Sequence, residues 1–456
     1  MQNNQPKLTV SGYRGVWGKD LTPQIAYEFT SAFAKIIKGQ NGKKVLIGMD
    51  ARKSGPEIFL AVKTAFQKEG LQVDNAGIIP TPSVLLLIRK MGYDGGLVIT
   101  ASHNPKEYNG LKFVLKTGLF AGPEIIEKIN INKENSTDLY ISSGEKYDVE
   151  NNKEFRKLHI DEILKNIPVS LIKNKRFKVS LDTINSAGSI IVPEFLKELG
   201  CEINLINGDQ SGEFAHEPEP LVKNLEQLSE AVKKNGSDIG FAVDPDTDRL
   251  VLIDEKGKIL SEEYTLALAI KNVLQKEPSD IAVNMSTSRM SEDIAENFGK
   301  KVIRTKVGEL NVVNKMFEIN SSISGEGNGG VIYPKINATR DSMVGMALVL
   351  ELLAKENKVM SQIIEEIPKY IMGKEKYFFN GDLGLLYKKM KEKFSDALFV
   401  NELDGIRFDW KDSWIHVRPS NTEPKTWIIA EAKDEKIIEK LFEEAVLGTD
   451  ICHFES

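Results

Sequence analysis

The sequence has little cysteine and no long apolar run. Cys201 and Cys452 are the only cysteines among 456 residues, and they form no CxxC pair. Two reduced thiols are typical of a cytoplasmic protein, which is the location we expect. No run of about 18 apolar residues exists, so no membrane span is expected. The opening residues, MQNNQPKLTVSG, lack the basic and apolar segments of a secretory signal.

An excess of positive charge is also missing. Lys and Arg number 60 against 66 Asp and Glu, which gives a formal net charge of −6. A general nucleic-acid binder is usually basic, so we expect no nucleic-acid partner. An anionic partner would have to be met by local clusters of Lys and Arg. The chain is 41% hydrophobic and 28% charged, as in ordinary globular proteins, and its length favours about three to four domains.

Short β-rich segments alternate with helical patterns along most of the chain. Strand-like segments that end in polar residues lie at 43–50, 177–183 and 281–287, and a helical pattern follows each. This alternation predicts βαβ units with parallel or mixed sheets. After residue 384, two strand-like segments and a final helix near 434–445 predict a smaller α+β domain.

The segment GFAVDPDTDRLVLIDEKG, residues 240–257, places three aspartates after an apolar strand. Asp244, Asp246 and Asp248 can converge on one hard cation such as Mg²⁺. A Ca²⁺ loop is the rival interpretation, but its sixth position, which needs glycine, is Arg249. A solvated acidic turn is the third alternative. Arg249 beside a metal suggests a phosphate oxygen there.

The segment LVITASHNPKEYNGLKF, residues 97–113, places Ser102 and His103 after an apolar strand. A serine in a simple tight turn is the alternative interpretation. Lys112 follows an Asn-Gly turn and is predicted to point back toward the same loop. A serine hydroxyl beside a cation can carry a phosphoryl group, which would be covalent catalysis with metal neutralisation of charge.

Three further segments are candidates for anion or sugar binding. In WIHVRPSNTEPKTWIIAEA, residues 414–432, an arginine can grip a phosphate bidentately while the tight loop adds hydroxyls and backbone N–H groups. A polar hairpin loop is the alternative. Glycines around Glu326 in SISGEGNGGVIYP allow close approach of a ligand, although a flexible turn explains them equally well. Arg14 in SGYRGVWG is either a phosphate-facing arginine or part of a surface turn.

Together these segments resemble the α-D-phosphohexomutase family over nearly the whole chain. SGYRG, TASHNP, DPDTDR, GEGNGG and RPSNTEP occur in the family's order. The resemblance implies an α/β fold with three related mixed-sheet α/β domains and a smaller C-terminal α+β domain around a central cleft. With polar joints near 131–155, 252–260 and 370–384, we predict domains at 1–145 (phosphoserine loop), 155–254 (Mg²⁺-binding loop), 255–368 (sugar-binding loop) and 375–456 (phosphate-binding loop).

The resemblance also implies roles for individual residues. Ser102 would be the phosphorylated serine and would contact Mg²⁺ together with Asp244, Asp246 and Asp248. The residues implied to act at the reacting phosphate are Arg14, His103, Lys112 and Arg249. The residues implied to bind the sugar are Glu326 and Asn328, and those implied to hold the non-reacting phosphate are Arg418, Ser420, Asn421 and Thr422. Gly330 stands where many relatives carry a histidine, so that group's acid–base role cannot be transferred here.

The implied activity is an isomerase that interconverts hexose 1-phosphate and hexose 6-phosphate, with one Mg²⁺ per chain. A phosphoserine enzyme and a bisphosphorylated sugar are the implied intermediates, and a hexose 1,6-bisphosphate is the implied activator. The favoured activity is that of a phosphomannomutase/phosphoglucomutase, and that of a phosphoglucosamine mutase is the alternative. A non-catalytic phosphosugar-binding relative and a metal-dependent phosphatase are hypotheses of other classes. We expect a monomer or homodimer acting on small sugar phosphates.

Overall fold

The computed structural model describes residues 8–134, 139–141, 144, 146–147, 152–379, 381–419, 425–447, 449 and 451–453. Within these residues the chain forms four β-sheets packed against helices, and one continuous apolar core joins the second and third sheets. No helix in this part of the chain has the length and apolar character that crossing a membrane requires.

The first domain is a five-stranded mixed sheet with strand order β1-β5-β4-β2-β3. Its elements are β1 (Tyr13–Val16), α1 (Pro23–Gly39), β2 (Lys44–Met49), α2 (Gly55–Lys68), β3 (Gln72–Ile78), α3 (Thr81–Met91), β4 (Gly95–Ile99), β5 (Tyr108–Leu115) and α4 (Pro123–Glu134). Strands β2, β3 and β4 are parallel, whereas β5 runs antiparallel to β4 and to β1. Every residue of β4 is buried, as expected for a strand covered on both faces.

The second domain has the strand order β7-β6-β8-β9. Its elements are α5 (Lys153–Leu164), α6 (Val169–Lys173), β6 (Lys178–Asp182), α7 (Gly188–Glu198), β7 (Glu202–Ile206), a 3₁₀ turn (Val222–Asn224), α8 (Glu226–Asn235), β8 (Ile239–Val243) and β9 (Leu250–Ile253). Strands β6, β7 and β8 are parallel, and β9 returns antiparallel to β8.

The third domain repeats this arrangement with the order β11-β10-β12-β13. Its elements are α9 (Glu263–Leu274), β10 (Ile281–Asn284), α10 (Met290–Asn297), β11 (Val302–Thr305), α11 (Glu309–Glu318), β12 (Ser324–Glu326), β13 (Gly330–Ile332), α12 (Ser342–Glu356) and α13 (Met360–Glu365). The carboxylate of Asp341 accepts from the N–H groups of Met343 and Val344, so it caps α12 and fixes the point where that helix begins.

The fourth domain is an antiparallel six-stranded sheet with the order β15-β16-β17-β18-β14-β19. Its elements are β14 (Ile371–Phe378), α14 (Leu383–Lys393), β15 (Phe399–Asn401), β16 (Ile406–Asp409), β17 (Ser413–Pro419), β18 (Lys425–Ala432), α15 (Glu435–Val446) and β19 (Cys452–His453). Both helices share one apolar core with the strands. The prediction of three related α/β domains followed by a smaller α+β domain is therefore confirmed.

The three α/β sheets have the same core of three parallel strands followed by one antiparallel strand. In each sheet the segment that joins the last parallel strand to the antiparallel strand carries one of the predicted motifs. The β4–β5 segment contains Ser102, the β8–β9 segment contains the aspartates, and the β12–β13 segment follows Glu326. One structural position, used three times, thus presents three different kinds of side chain.

Candidate active site

Ser102 follows the buried strand β4 in a strained turn. Its φ is 50°, a left-handed conformation that costs a non-glycine residue about 1–2 kcal/mol. The hydroxyl of Thr100 accepts from the Ser102 N–H at 2.9 Å and so holds the turn. The Ser102 hydroxyl is buried and donates to Asp244 Oδ2 at 2.8 Å. The predicted serine and the first predicted aspartate, from different domains, are in direct contact.

Arg52 donates hydrogen bonds to the backbone of the serine loop, and the sequence analysis did not identify it as a site residue. Its buried guanidinium pairs with Asp50 through Nε at 3.1 Å. Its remaining nitrogens donate at 2.6–2.9 Å to four loop carbonyls, those of Ser102, Asn104, Pro105 and Tyr108. The sequence signal that could have found Arg52 is the Asp-x-Arg at the end of β2. Because the carboxyl ends of neighbouring parallel strands meet at one sheet edge, a charged pair after β2 lies near the loop after β4.

The three aspartates of the β8–β9 segment are buried and lie together. One carboxylate oxygen from each of Asp244, Asp246 and Asp248 lies within 4.8 Å of the others. Asp246 Oδ2 accepts from Lys112 at 2.6 Å and from Thr81 at 2.7 Å. Among the described residues, Oδ1 of Asp246 and Oδ1 of Asp248 are buried without a hydrogen-bond partner. Each of these carboxylates therefore keeps one oxygen free.

These free oxygens fit a divalent cation. Burial and the charges of Asp246 and Asp248 raise the pKa of Asp244 well above its ordinary value, which shows the energetic cost of crowding three carboxylates. Hard oxygen donors are the ligands that Mg²⁺, Ca²⁺ and Mn²⁺ prefer. The Ca²⁺-loop alternative fails, since Glu255 is bonded to Ser361 and the flanking elements are strands. The buried triad can hold a metal ion.

Two of the predicted catalytic side chains lie beside Ser102 on the first domain. His103 Nδ1 is 3.4 Å from the Ser102 oxygen. Burial, together with the charges of Arg249 and Arg14, lowers the pKa of His103 far below its ordinary value and keeps the imidazole neutral. Lys112, in β5, is buried and lies 2.6 Å from Asp246 and 3.7 Å from Asp248.

Arg14 and Arg249 supply further positive charge to the same place. Arg14 Nη1 donates to Asn104 Oδ1 at 3.0 Å, within the serine loop. Arg249 follows the aspartates, and its Nη1 donates to Glu219 at 3.2 Å. The buried Nε atoms of Arg14 and Arg249 have no hydrogen-bond partner among the described residues. The arrangement therefore presents donors to an anion next to the serine hydroxyl.

Glu326, at the end of β12, is buried, and both of its carboxylate oxygens accept hydrogen bonds from protein groups. Its Oε1 accepts from Asn284 at 2.8 Å and from the Gly308 N–H at 3.1 Å. Its Oε2 accepts from Arg340 Nη1 at 2.9 Å, and Arg340 Nη2 donates to Asp248 at 2.6 Å. The predicted sugar loop and the aspartate loop are thus joined by Arg340, a residue that nothing in its local sequence indicated.

The loop predicted to bind a second phosphate is described only in part. Ser420, Asn421 and Thr422 lie outside the described residues. Arg418, on β17, donates through Nε to Asp404 Oδ2 at 2.9 Å, and that oxygen also accepts from the Val307 N–H at 2.8 Å. Asp404 therefore links Arg418 to Val307 of the third domain. The next residue, Gly308, donates its N–H to Glu326.

Family models match the chain in four consecutive parts. The models for phosphoglucomutase/phosphomannomutase α/β/α domains I, II and III match residues 6–138, 157–257 and 261–370, and the C-terminal domain model matches residues 371–447. The chain belongs to the phosphoglucomutase/phosphomannomutase family. The resemblance inferred from the five motifs is confirmed, and this membership covers all four domains.

Relatives within this family agree on the class of enzyme but differ in the sugar. A phosphoglucomutase/phosphomannomutase of Thermococcus kodakarensis is 36% identical, over 96% of this chain and 98% of the relative. A phosphoglucosamine/phosphogalactosamine mutase of Sulfurisphaera tokodaii is 34% identical, over 95% and 96%. The crystal structure of a family protein from Burkholderia thailandensis superimposes with a TM-score of 0.82 at 26% identity, over 98% of each chain.

Proposed function

We propose that this family member is a phosphohexomutase that interconverts hexose 1-phosphates and hexose 6-phosphates through a phosphorylated Ser102. The contact between the Ser102 hydroxyl and Asp244 at 2.8 Å carries the proposal. It places a hydroxyl that can carry a phosphoryl group directly against a buried carboxylate triad that fits a cation. The mutase names of relatives at 36% and 34% identity support the same class.

The chemistry requires two transfers at one serine. In the first, the bond between the phosphoserine oxygen and phosphorus breaks, and a sugar hydroxyl forms the new bond and releases its proton. The bisphosphorylated sugar then reorients, and Ser102 receives the other phosphoryl group. We assign the hydroxyl proton to His103, since Lys112 is ion-paired with Asp246 and Gly330 offers no base. Burial and the charges of Arg249 and Arg14 lower the pKa of His103, so this role requires the negative charge of the bound phosphate to offset those arginines and raise the pKa again.

We assign one Mg²⁺ to Asp244, Asp246 and Asp248, with Ser102 contributing an oxygen. When bound, the ion would supply positive charge against the phosphate oxygens during transfer. Arg14, Lys112 and Arg249 would bind and orient the same phosphate from the protein side. The buried Lys112 side chain helps to exclude water, which would otherwise hydrolyse the phosphoserine.

The non-reacting phosphate requires a second site. We assign it to Arg418 with Ser420, Asn421 and Thr422, and we assign the sugar hydroxyls to Glu326 and Asn328. A hexose 1,6-bisphosphate would act as the activator, because it can phosphorylate Ser102 of an unphosphorylated chain. Phosphomannomutase/phosphoglucomutase is the favoured activity, in line with the Thermococcus relative, and phosphoglucosamine mutase is the alternative, in line with the Sulfurisphaera relative.

The mass of the intact protein tests the phosphoserine. Incubation with glucose 1,6-bisphosphate and Mg²⁺ should add one phosphoryl group to the wild type and none to S102A. S189A is the matched control, because Ser189 is also buried and its hydroxyl is hydrogen-bonded to Thr183. A protein that binds sugar phosphates but never gains this mass would be a non-catalytic relative.

An isomerisation assay tests the activity and the sugar together. The 1-phosphates of mannose, glucose, glucosamine and N-acetylglucosamine are supplied with Mg²⁺ and catalytic glucose 1,6-bisphosphate. Formation of the corresponding 6-phosphate, lost in S102A, supports the proposal and ranks the sugars. Release of inorganic phosphate without isomerisation would instead identify a phosphatase and contradict the proposal.

A further inference from the structure

Arg340 is a buried cation surrounded by three carboxylates from different segments. Its side chain is 10% exposed and lies 2.6 Å from Asp248, 2.9 Å from Glu326 and 3.2 Å from Glu309. The planar guanidinium can donate in several fixed directions at once, which a lysine ammonium on a flexible stem cannot reproduce. Asp248 belongs to the second domain and Glu326 to the third. One side chain therefore sets the relative position of two loops of the site.

The contact with Asp248 matches the contact between Lys112 and Asp246. Lys112 takes Oδ2 of Asp246 and leaves Oδ1 free, and Arg340 takes Oδ2 of Asp248 and leaves Oδ1 free. Groups that bind the outer oxygen of a carboxylate orient its inner oxygen toward a metal. Arg340 thus does for the third aspartate what Lys112 does for the second.

Gly330 makes this position of Arg340 possible. A Cβ atom at residue 330 would overlap Cδ and Cγ of Arg340. The backbone of Gly330 is not in the left-handed region, because it is absent from the glycines with positive φ among the described residues. The need for glycine here is therefore one of space. Any larger residue would displace the Arg340 side chain from its contacts with Asp248 and Glu326.

The backbone beneath Arg340 is fixed as well. The N–H of Asp341 donates to the Val331 carbonyl at 2.9 Å, and the Asp341 carboxylate caps α12. The N–H of Arg340 donates to Glu309 Oε1 at 3.2 Å. The side chain consequently starts from a rigid base and passes over Gly330 to reach the aspartate loop.

We propose that Arg340 is a positioning residue that orients Asp248 for the metal ion and Glu326 for the sugar, and that residue 330 is glycine to leave room for it. The inference deepens the proposed function and rests on it for the roles of Asp248 and Glu326. The Arg340 side chain, which comes from another segment, fills the space that a side chain at residue 330 would occupy. Binding of Mg²⁺ tests this without any need for turnover.

Two variants test the proposal at constant charge. R340K keeps the positive charge but loses the planar fork, and G330A keeps every charge but displaces the arginine. Isothermal titration with MgCl₂ should show affinity about tenfold weaker in both variants, as expected for lost support of a metal ligand. In the isomerisation assay, kcat/KM should fall by a similar factor in both. The double variant R340A/G330A should match R340A within about twofold, since the clash no longer exists.

Matched controls separate positioning from stability. Arg156 is as buried as Arg340 and pairs with Glu194 at 2.8 and 3.0 Å away from the site. R156K should lower the melting temperature without changing Mg²⁺ affinity. A Cβ at Gly122 would make ordinary contact with Leu310 at 3.5 Å, so G122A should behave as the wild type.

The outcomes distinguish this inference from the proposed function. Wild-type Mg²⁺ affinity in folded R340K and G330A would overturn it, as would a further loss in R340A/G330A relative to R340A. If R340K and G330A lose Mg²⁺ affinity while the wild type isomerises no hexose phosphate, the positioning of Asp248 stands and the proposed function fails.

Discussion

Replacement of Arg52 by methionine is the most informative perturbation of the serine loop. R52M leaves the buried Asp50 carboxylate without its cation and four loop carbonyls without their donors. Breaking a buried ion pair costs about 3–5 kcal/mol. Burial already raises the pKa of Asp50 while Arg52 opposes that rise, so without Arg52 the carboxyl can take up a proton and limit the loss. We therefore expect R52M to destabilise the serine loop by an amount near the lower end of this range, about 3 kcal/mol.

Hydrogen exchange measures this loss where it occurs. About 3 kcal/mol corresponds to roughly 100-fold in an opening equilibrium, so amides in a peptide covering residues 100–110 should exchange about 100-fold faster in R52M. The Ser102 hydroxyl would lose its fixed position, and kcat should fall by about 100-fold. R156M is the control, and it should leave this peptide protected. Unchanged protection of residues 100–110 in folded R52M would refute the argument that Arg52 holds the loop.

Two buried titratable groups give further predictions. Burial raises the pKa of the Glu263 carboxyl from 4.5 to about 8. Its neutral form therefore stabilises the protein at low pH, and this stabilisation is lost as pH rises from 4.5 through about 8. The melting temperature of the wild type should fall relative to that of E263Q over this pH range, and parallel curves for the two proteins would contradict the prediction. Burial lowers the pKa of His416 from 6.5 to about 4, so its neutral form, bonded to Ser286 and the Asp404 carbonyl, stabilises the protein above pH 6.5. As pH falls to about 4 the wild type should lose up to about 3 kcal/mol relative to H416Q, and equal acid sensitivity of the two proteins would refute this.

The fold class was readable because it depends on local periodicity. Buried strands such as β2 and β8 are short apolar runs that end in polar residues, and helices with apolar faces follow them. The aspartate triplet and Ser102 were also readable, since each motif is complete within a few consecutive residues. The contact between Ser102 and Asp244 followed from family resemblance alone, because 142 residues separate them.

The sequence by itself identified the segments predicted to carry chemistry: the serine loop, the aspartate loop and the predicted sugar loop, each at the end of a strand. Only the tertiary structure decided which partners orient those groups. Arg52 acts on carbonyls 50–56 residues away, and Arg340 acts on Asp248 across 92 residues. The physical reason is that a lone arginine has no periodicity or spacing that announces its acceptors. Its partners are fixed only when packing of separate domains buries it beside carboxylates or carbonyls that must be satisfied.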